Sequence, residues 1–118
     1  FKRSGIFPIM HTVVIRNSIL EKHPWVAISV LQAFQQAKEL CYTRLRNPRN
    51  TALAWMPDLL REQEAVLGKD PWPYGLADNY KTLEAAVRYV FDQGMIAKKP
   101  EIEDLFFPAS LQDVQHYL

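Results

Sequence analysis

The feature that most constrains this chain is a continuous apolar, β-branched run near its start. Thr12, Val13, Val14 and Ile15 form the centre of a segment that covers residues 9–16. Such a run is typical of a strand buried on both faces of a parallel sheet. A strand needs neighbours, because its backbone N–H and C=O groups must find hydrogen-bond partners.

The remaining sequence predicts helices and no second strand of comparable strength. Apolar residues recur at helical spacing, and glycine or proline stands near the ends of the periodic stretches. The predicted helices cover residues 24–46, 51–67 with a break or restart at Pro57, and 83–91, with a short stretch at 102–106 and a last turn from Ser110. We expect one unit, with a crossing segment and strand in residues 1–16 and a helical region in residues 17–118. The lone strand implies that its sheet partners lie in sequence outside these 118 residues or in another chain. We therefore expect the chain to be part of a larger α/β protein.

Charge and hydropathy argue against two classes of partner. The chain has 14 Lys and Arg against 13 Asp and Glu, and its net charge is +1. Nucleic-acid binders usually gather a basic surplus on one face. No apolar run approaches the ~20 residues of a membrane span. We therefore expect neither nucleic acid nor membrane as a partner. An unpaired strand edge and apolar face make a homo-oligomer possible.

Sequence motifs for metal, phosphate or nucleophilic chemistry are absent from the sequence. The three histidines lack metal-ligand spacing, and one cysteine, Cys41, cannot complete a zinc site with them. Cys41 falls on the apolar stripe of the long predicted helix, where we expect a buried structural thiol. There is no glycine-rich phosphate loop and no nucleophile elbow. We expect no metal and no cofactor.

Two regions are candidates for a binding or catalytic role. His11 opens the predicted strand and could transfer protons near neutral pH, although ligands in open sheets gather at the opposite, carboxyl ends of strands. The alternative is a core histidine bonded to a backbone carbonyl. Trp72 and Tyr74 lie on a proline-rich loop and either line a pocket for a flat ligand or seal the helices that they cover. Asn79 and Lys81 either cap the next helix or face a ligand carboxylate.

Three stretches together resemble the 4,5-dihydroxyphthalate decarboxylases. They read RSGIFPIMHTVVIR from Arg3, EKHPWV from Glu21 and WPYGL from Trp72, and Asn79 and the run TLE from Thr82 follow. Their order and spacing resemble the C-terminal portion of that family over nearly the whole chain. The resemblance implies a fold like that of type II periplasmic binding proteins, in which crossing strands join two α/β lobes around a ligand cleft. Residues 5–8 would cross between the lobes, and residues 12–15 would be a strand of the first lobe.

The resemblance also implies a reaction of bacterial phthalate catabolism, the conversion of 4,5-dihydroxyphthalate to protocatechuate and carbon dioxide. This chemistry needs a general acid, cations or amide donors for two carboxylates and a partly dry cleft, and it needs no organic cofactor. The candidate residues are His11 for proton transfer and, for contacts to the aromatic acid, Arg3, Arg16, Trp72, Tyr74 and Asn79. We expect the chain to require the N-terminal part of the same protein as its partner and to be inactive alone.

A second function stays open at this point. Folds of the periplasmic-binding-protein type also serve as solute-binding proteins, which capture a small acid for an ABC-type transporter. A decarboxylase of this kind would work in the cytoplasm, whereas a solute-binding protein would work in the periplasm and carry a signal sequence.

Overall fold

Helices are the regular secondary structure of residues 1–108, the part of the chain that the computed structural model describes. The α-helices are α1 (Asn17–Lys22), α2 (Trp25–Leu45), α3 (Met56–Leu67) and α4 (Tyr80–Asp92). Short 3₁₀ helices lie at Pro48–Asn50, Ala77–Asn79 and Glu103–Leu105. The mostly helical character predicted from the sequence is confirmed. The predicted turn from Ser110 lies outside the described residues.

Proline and glycine mark helix ends, as their backbone chemistry requires. Pro57 occupies the first turn of α3, where its missing N–H removes no helical hydrogen bond. The helix therefore begins at Met56, next to the restart predicted at Pro57, whereas residues 51–55, also predicted to be helical, form no helix. After α4, Gly94 has a φ of 72°, and this turn lets the amide of Met95 donate to the carbonyl of Val90 at 3.0 Å. The chain thus leaves α4 along a new direction.

The strand predicted for residues 9–16 is not formed. This segment has no helix and no strand, and its last residue, Arg16, keeps an extended backbone with φ −61° and ψ 131°. Met10 and Val14 are 81% and 87% exposed. The physical reason is that a strand exists only when its backbone pairs with a neighbour, and residues 1–108 contain no second strand. The expectation of a strand within this chain was therefore wrong for the described residues. That sequence outside this chain, or another chain, provides the sheet partners stays a prediction.

The hydrophobic core of the described residues is small. Ala85 in α4 and Ile102 are its buried apolar side chains. Large apolar residues elsewhere are exposed, among them Trp25, Trp55 and Met95. None of the helices within residues 1–108 combines the length and apolar character needed to cross a bilayer. A domain of this length normally encloses a larger core, so these helices present apolar surface that the rest of the described chain does not cover.

The inward face of α2 differs from the apolar stripe that we predicted. Lys38 and Tyr42 are partly buried, whereas Cys41 is exposed. The expectation of a buried thiol was therefore wrong. Lys38 and Tyr42 are four residues apart and so share one side of the helix. Residues 70–75, which we call the aromatic loop, contact this side.

Candidate functional site

Lys38 anchors the aromatic loop to α2. Its Nζ donates to Asp70 Oδ2 at 2.5 Å and to the carbonyl of Trp72 at 3.0 Å. The same ammonium lies 4.2 Å from the centroid of the Tyr74 ring. The Lys38 side chain is only 8% exposed, so its charge is balanced by these contacts and not by water. One side chain of the helix thereby holds the loop at three points.

Asp70 connects the helix to the first turn of the aromatic loop. Its Oδ1 accepts hydrogen bonds from the hydroxyl of Tyr42 at 3.0 Å and from the amide of Trp72 at 3.2 Å. Burial raises the pKa of Tyr42 above its usual range, and the hydrogen-bonded Asp70 carboxylate raises it further because it repels a phenolate. Tyr42 therefore stays protonated and keeps donating to Asp70 throughout the neutral range.

Two pairs of aromatic rings lie where the aromatic loop contacts its surroundings. The ring centroids of Phe7 and Trp72 are 5.5 Å apart, and those of Phe34 and Tyr74 are 6.4 Å apart at an interplanar angle of 84°. Phe34, Trp72 and Tyr74 remain 45%, 48% and 40% exposed. These four rings, which we call the aromatic surface, thus contact neighbouring side chains and remain partly open to solvent. Such a surface suits the face of a flat ligand.

Asn79 braces the far end of the aromatic loop. Its Nδ2 donates to the carbonyls of Pro73 and Gly75, both at 2.8 Å. Asn79 occupies the N-cap position of α4 and makes no side-chain capping bond there. Capping, which was one of the two predicted alternatives for Asn79, is therefore excluded. Both amide hydrogens are committed to the loop.

The first turn of α4 approaches the N-terminal segment. Gly5 has a φ of 68°, and a Cβ added to it would lie 3.2 Å from the Nζ of Lys81. The Phe7–Trp72 contact ties the same segment to the aromatic loop. Gly5 and Phe7 therefore place this segment beside the start of α4, which directly follows Asn79, and beside the aromatic loop, which contains Trp72.

The predicted site residues fall into two groups. Trp72, Tyr74 and Asn79 are brought together by the loop, as described above. His11, Arg3 and Arg16 are exposed, and no hydrogen bond or ion pair of their side chains occurs within the described residues. The structure does not join these three to the network of Lys38 and Asp70. Their proposed roles stay predictions.

Sequence reasoning missed the residues that hold the loop. Phe34, Lys38 and Tyr42 are spaced four residues apart, and this spacing could have placed them on one face of α2. Their partner Asp70 is 32 residues from Lys38 in sequence, and no local pattern indicates that pairing. The missed signal was a lysine between two aromatic residues on one helix face.

Apart from the aromatic surface, a concave groove lies between α4 and residues 99–102. It encloses about 290 Å³ and is lined by Tyr80, Glu84, Val87, Arg88, Lys99, Pro100, Glu101 and Ile102. Two acidic and two basic side chains balance one another there, so the groove has no excess charge to attract an ionic ligand. Residues 1–108 also hold no cluster of His, Cys, Asp and Glu suited to a metal ion. The aromatic surface is the stronger candidate site.

Comparison with known proteins relates this chain to a named decarboxylase. The sequence is 32% identical over 114 residues to 4,5-dihydroxyphthalate decarboxylase from Comamonas testosteroni. The matched region is 95% of this chain and 34% of the relative, so the chain spans about a third of that protein's length. No protein-family model matches the sequence. The resemblance to 4,5-dihydroxyphthalate decarboxylases that we inferred from the residues is confirmed.

Proposed function

We propose that this chain is the C-terminal part of a decarboxylase that converts 4,5-dihydroxyphthalate to protocatechuate in the cytoplasm. The observation that carries the proposal is the 32% identity to a protein of that name over 95% of the chain. Because the chain covers 34% of the relative, the proposal concerns the complete protein. We expect the 118 residues alone to be inactive and the complete fold to be of the type II periplasmic-binding-protein kind.

The chemistry of the substrate defines what the site must supply. Each carboxylate of 4,5-dihydroxyphthalate is para to a ring hydroxyl, and polarising that hydroxyl moves electron density to the carbon that bears the carboxylate. A general acid then protonates this carbon, the carbon–carboxylate bond breaks, and carbon dioxide leaves as the ring regains aromaticity. The added proton replaces the lost carboxylate, so no oxidant, reductant or organic cofactor takes part.

The aromatic surface is the proposed wall against which the substrate ring packs. What supports this is that Trp72 and Tyr74 are 48% and 40% exposed while each ring also contacts a neighbouring ring. A flat aromatic acid gains contact area and ring stacking on such a surface. Asn79 is proposed to contribute through Oδ1, for which the described residues give no hydrogen bond.

His11 is the proposed proton donor, and Arg3 or Arg16 is the proposed partner of a substrate carboxylate. What supports His11 and Arg3 is their place on the segment that Phe7 ties to Trp72, since each lies four residues from Phe7 in sequence. A guanidinium can bind a carboxylate through two parallel hydrogen bonds.

The decisive experiment uses the complete protein. It is incubated with 4,5-dihydroxyphthalate, and protocatechuate and released carbon dioxide are both measured. We expect His11→Gln to lower turnover by about tenfold or more, because general acid catalysis contributes at least that much. The matched control is His23→Gln, at an exposed histidine whose ring contacts only Trp25 in the described residues, and it should retain turnover.

The outcomes separate the proposal from its alternatives. Turnover by the wild-type protein with loss in His11→Gln supports both the reaction and the assignment. Turnover that survives His11→Gln contradicts the role of His11 alone. Tight binding without turnover identifies a solute-binding protein, and the absence of both binding and turnover rejects this substrate.

A further inference from the structure

The contacts of Lys38 converge on the two residues that supply most of the aromatic surface. Its ammonium binds the backbone carbonyl of Trp72 and faces the ring of Tyr74. Its third partner, Asp70, binds the amide of Trp72. Lys38 therefore contacts both residues directly, whereas Tyr42 reaches the loop through Asp70 and Asn79 holds its far end.

We propose that Lys38 is a positioning residue that sets Trp72 and Tyr74 in the orientation that receives the flat ring of the substrate, an inference that rests on the proposed function. Lys38 touches the loop and not the reacting atoms, so it acts through the aromatic residues. Its effect would fall on substrate binding more than on the chemical step.

Burial of the Lys38 charge is poorly explained by stability alone. The side chain is 8% exposed, and an apolar side chain of similar volume would fill that space without the cost of removing an ammonium from water. An apolar side chain could not bind the Asp70 carboxylate and the Trp72 carbonyl together. What lysine adds at this position is therefore a defined orientation of the loop.

Two prolines restrict the backbone of the loop around Trp72. Pro71 and Pro73 flank Trp72, and each proline fixes its own φ. Loss of the Lys38 contacts would loosen the attachment of Trp72 and Tyr74 to α2 and so change the angle of their rings. Ring stacking depends on that angle, and it is present in the bound substrate as well as in the transition state. A mutation that removes such uniform binding raises KM and leaves kcat nearly unchanged.

The first test measures kinetics of the complete protein with 4,5-dihydroxyphthalate. Lys38→Met keeps the length of the side chain and removes its charge, and we expect KM to rise by about tenfold with kcat within about threefold of wild type. Lys38→Arg restores a cation and should recover part of the affinity. The control is Glu64→Gln, which breaks the ion pair between Glu64 of α3 and Arg46, the residue that follows α2, and changes none of the loop contacts described above.

The second test reads the position of the loop without reference to activity. The complete protein is labelled with 5-fluorotryptophan, and the ¹⁹F resonance of Trp72 is assigned by its loss in Trp72→Phe. We expect Lys38→Met to shift or broaden this resonance, whereas Glu64→Gln should leave it unchanged. An unshifted Trp72 resonance in Lys38→Met, or an equal change in Glu64→Gln, would show that Lys38 does not specifically hold the loop.

The results distinguish failure of this inference from failure of the proposed function. A folded Lys38→Met protein with wild-type KM and an unshifted Trp72 resonance overturns the inference while the decarboxylase proposal stands. Equal increases of KM in Lys38→Met and Glu64→Gln also overturn it. If the wild-type protein neither binds nor turns over the substrate, the proposed function fails. The ¹⁹F comparison then decides whether Lys38 orients the loop.

Discussion

The ring of Phe7 packs on the ring of Trp72 at a centroid distance of 5.5 Å and an interplanar angle of 59°. This contact joins the N-terminal segment, which has no regular secondary structure before Asn17, to the aromatic loop. Phe7 therefore brings the segment that precedes His11 into contact with the aromatic loop.

Phe7→Ala should lower the free energy of unfolding by about 1–2 kcal/mol, because it removes an aromatic pair and part-buried apolar area. Chemical denaturation of the protein measures this loss. Phe1→Ala is the matched control, since Phe1 is 48% exposed and its ring makes no aromatic contact in the described residues. Equal losses in the two variants would show that the Phe7–Trp72 contact contributes nothing specific.

Asp70→Asn should destabilise the protein by about 1–3 kcal/mol, because it leaves the buried Lys38 ammonium without its counter-charge. The range is below that of a fully buried pair because the Asp70 side chain is 39% exposed. Asp58→Asn is the control: Asp58 pairs with Arg61 on the surface of α3, where side chains are 69% and 77% exposed. There the loss should be about 0.5 kcal/mol or less by the same denaturation assay. Similar losses at both sites would contradict the importance of burial.

Tyr42→Phe should change how stability depends on alkaline pH. The pKa of Tyr42 is raised in the folded protein, mainly by burial and then by Asp70, whereas an unfolded tyrosine has a pKa of about 10. The folded state therefore binds the proton more tightly. Its contribution to stability is complete below about pH 10 and is lost progressively as pH rises from there toward the folded pKa.

We expect the wild-type free energy of unfolding to decline more steeply above pH 10 than that of Tyr42→Phe. Asp70→Asn should weaken the decline without abolishing it, because burial of the phenol remains. Denaturation curves at several pH values between neutral and alkaline conditions measure both effects. Parallel declines in wild type and Tyr42→Phe would exclude this titration as a cause.

Gly5→Ala should destabilise the protein by about 1 kcal/mol, because its φ of 68° is unfavourable for a residue with a Cβ. Gly94→Ala is the control for backbone strain: its φ is 72°, and an added Cβ would meet nothing within 4 Å. The new methyl at Gly5 would lie 3.2 Å from the mobile end of Lys81. Because that end can move, the two variants should lose similar stability in thermal denaturation. A much larger loss at Gly5 would show that Lys81 is held rigidly.

The 118-residue chain expressed alone should self-associate, because large apolar side chains are exposed. Val13 and Val14 are 62% and 87% exposed on a segment without strand partners, and Trp55 is 77% exposed. Sedimentation velocity at several protein concentrations measures the association. Val14→Lys should reduce it, because charge on an unpaired edge opposes strand addition. A strictly monomeric wild-type chain would contradict the prediction that this segment needs partners.

Several features of the fold follow from local sequence. Periodic apolar residues predicted the helices, and Gly94 marked the end of α4 because a positive φ is accessible to glycine. The strand was predicted from β-branched residues, but strand formation requires a paired backbone and is not a local property. The same preference for extended backbone persists at Arg16 without any sheet.

The candidate site divides in the same way. Trp72, Tyr74 and Asn79 were identifiable because aromatic, proline and amide residues cluster in a short stretch, and the resemblance to a known family also rests on contiguous residues. The covered face of α2 was not identifiable, and neither was the contact of Lys38 with Asp70. Those features depend on the path of a loop that returns to the helix after 32 residues. Short-range spacing governs helices and turns, whereas the pairing of a buried charge is settled only when distant segments meet and exclude water.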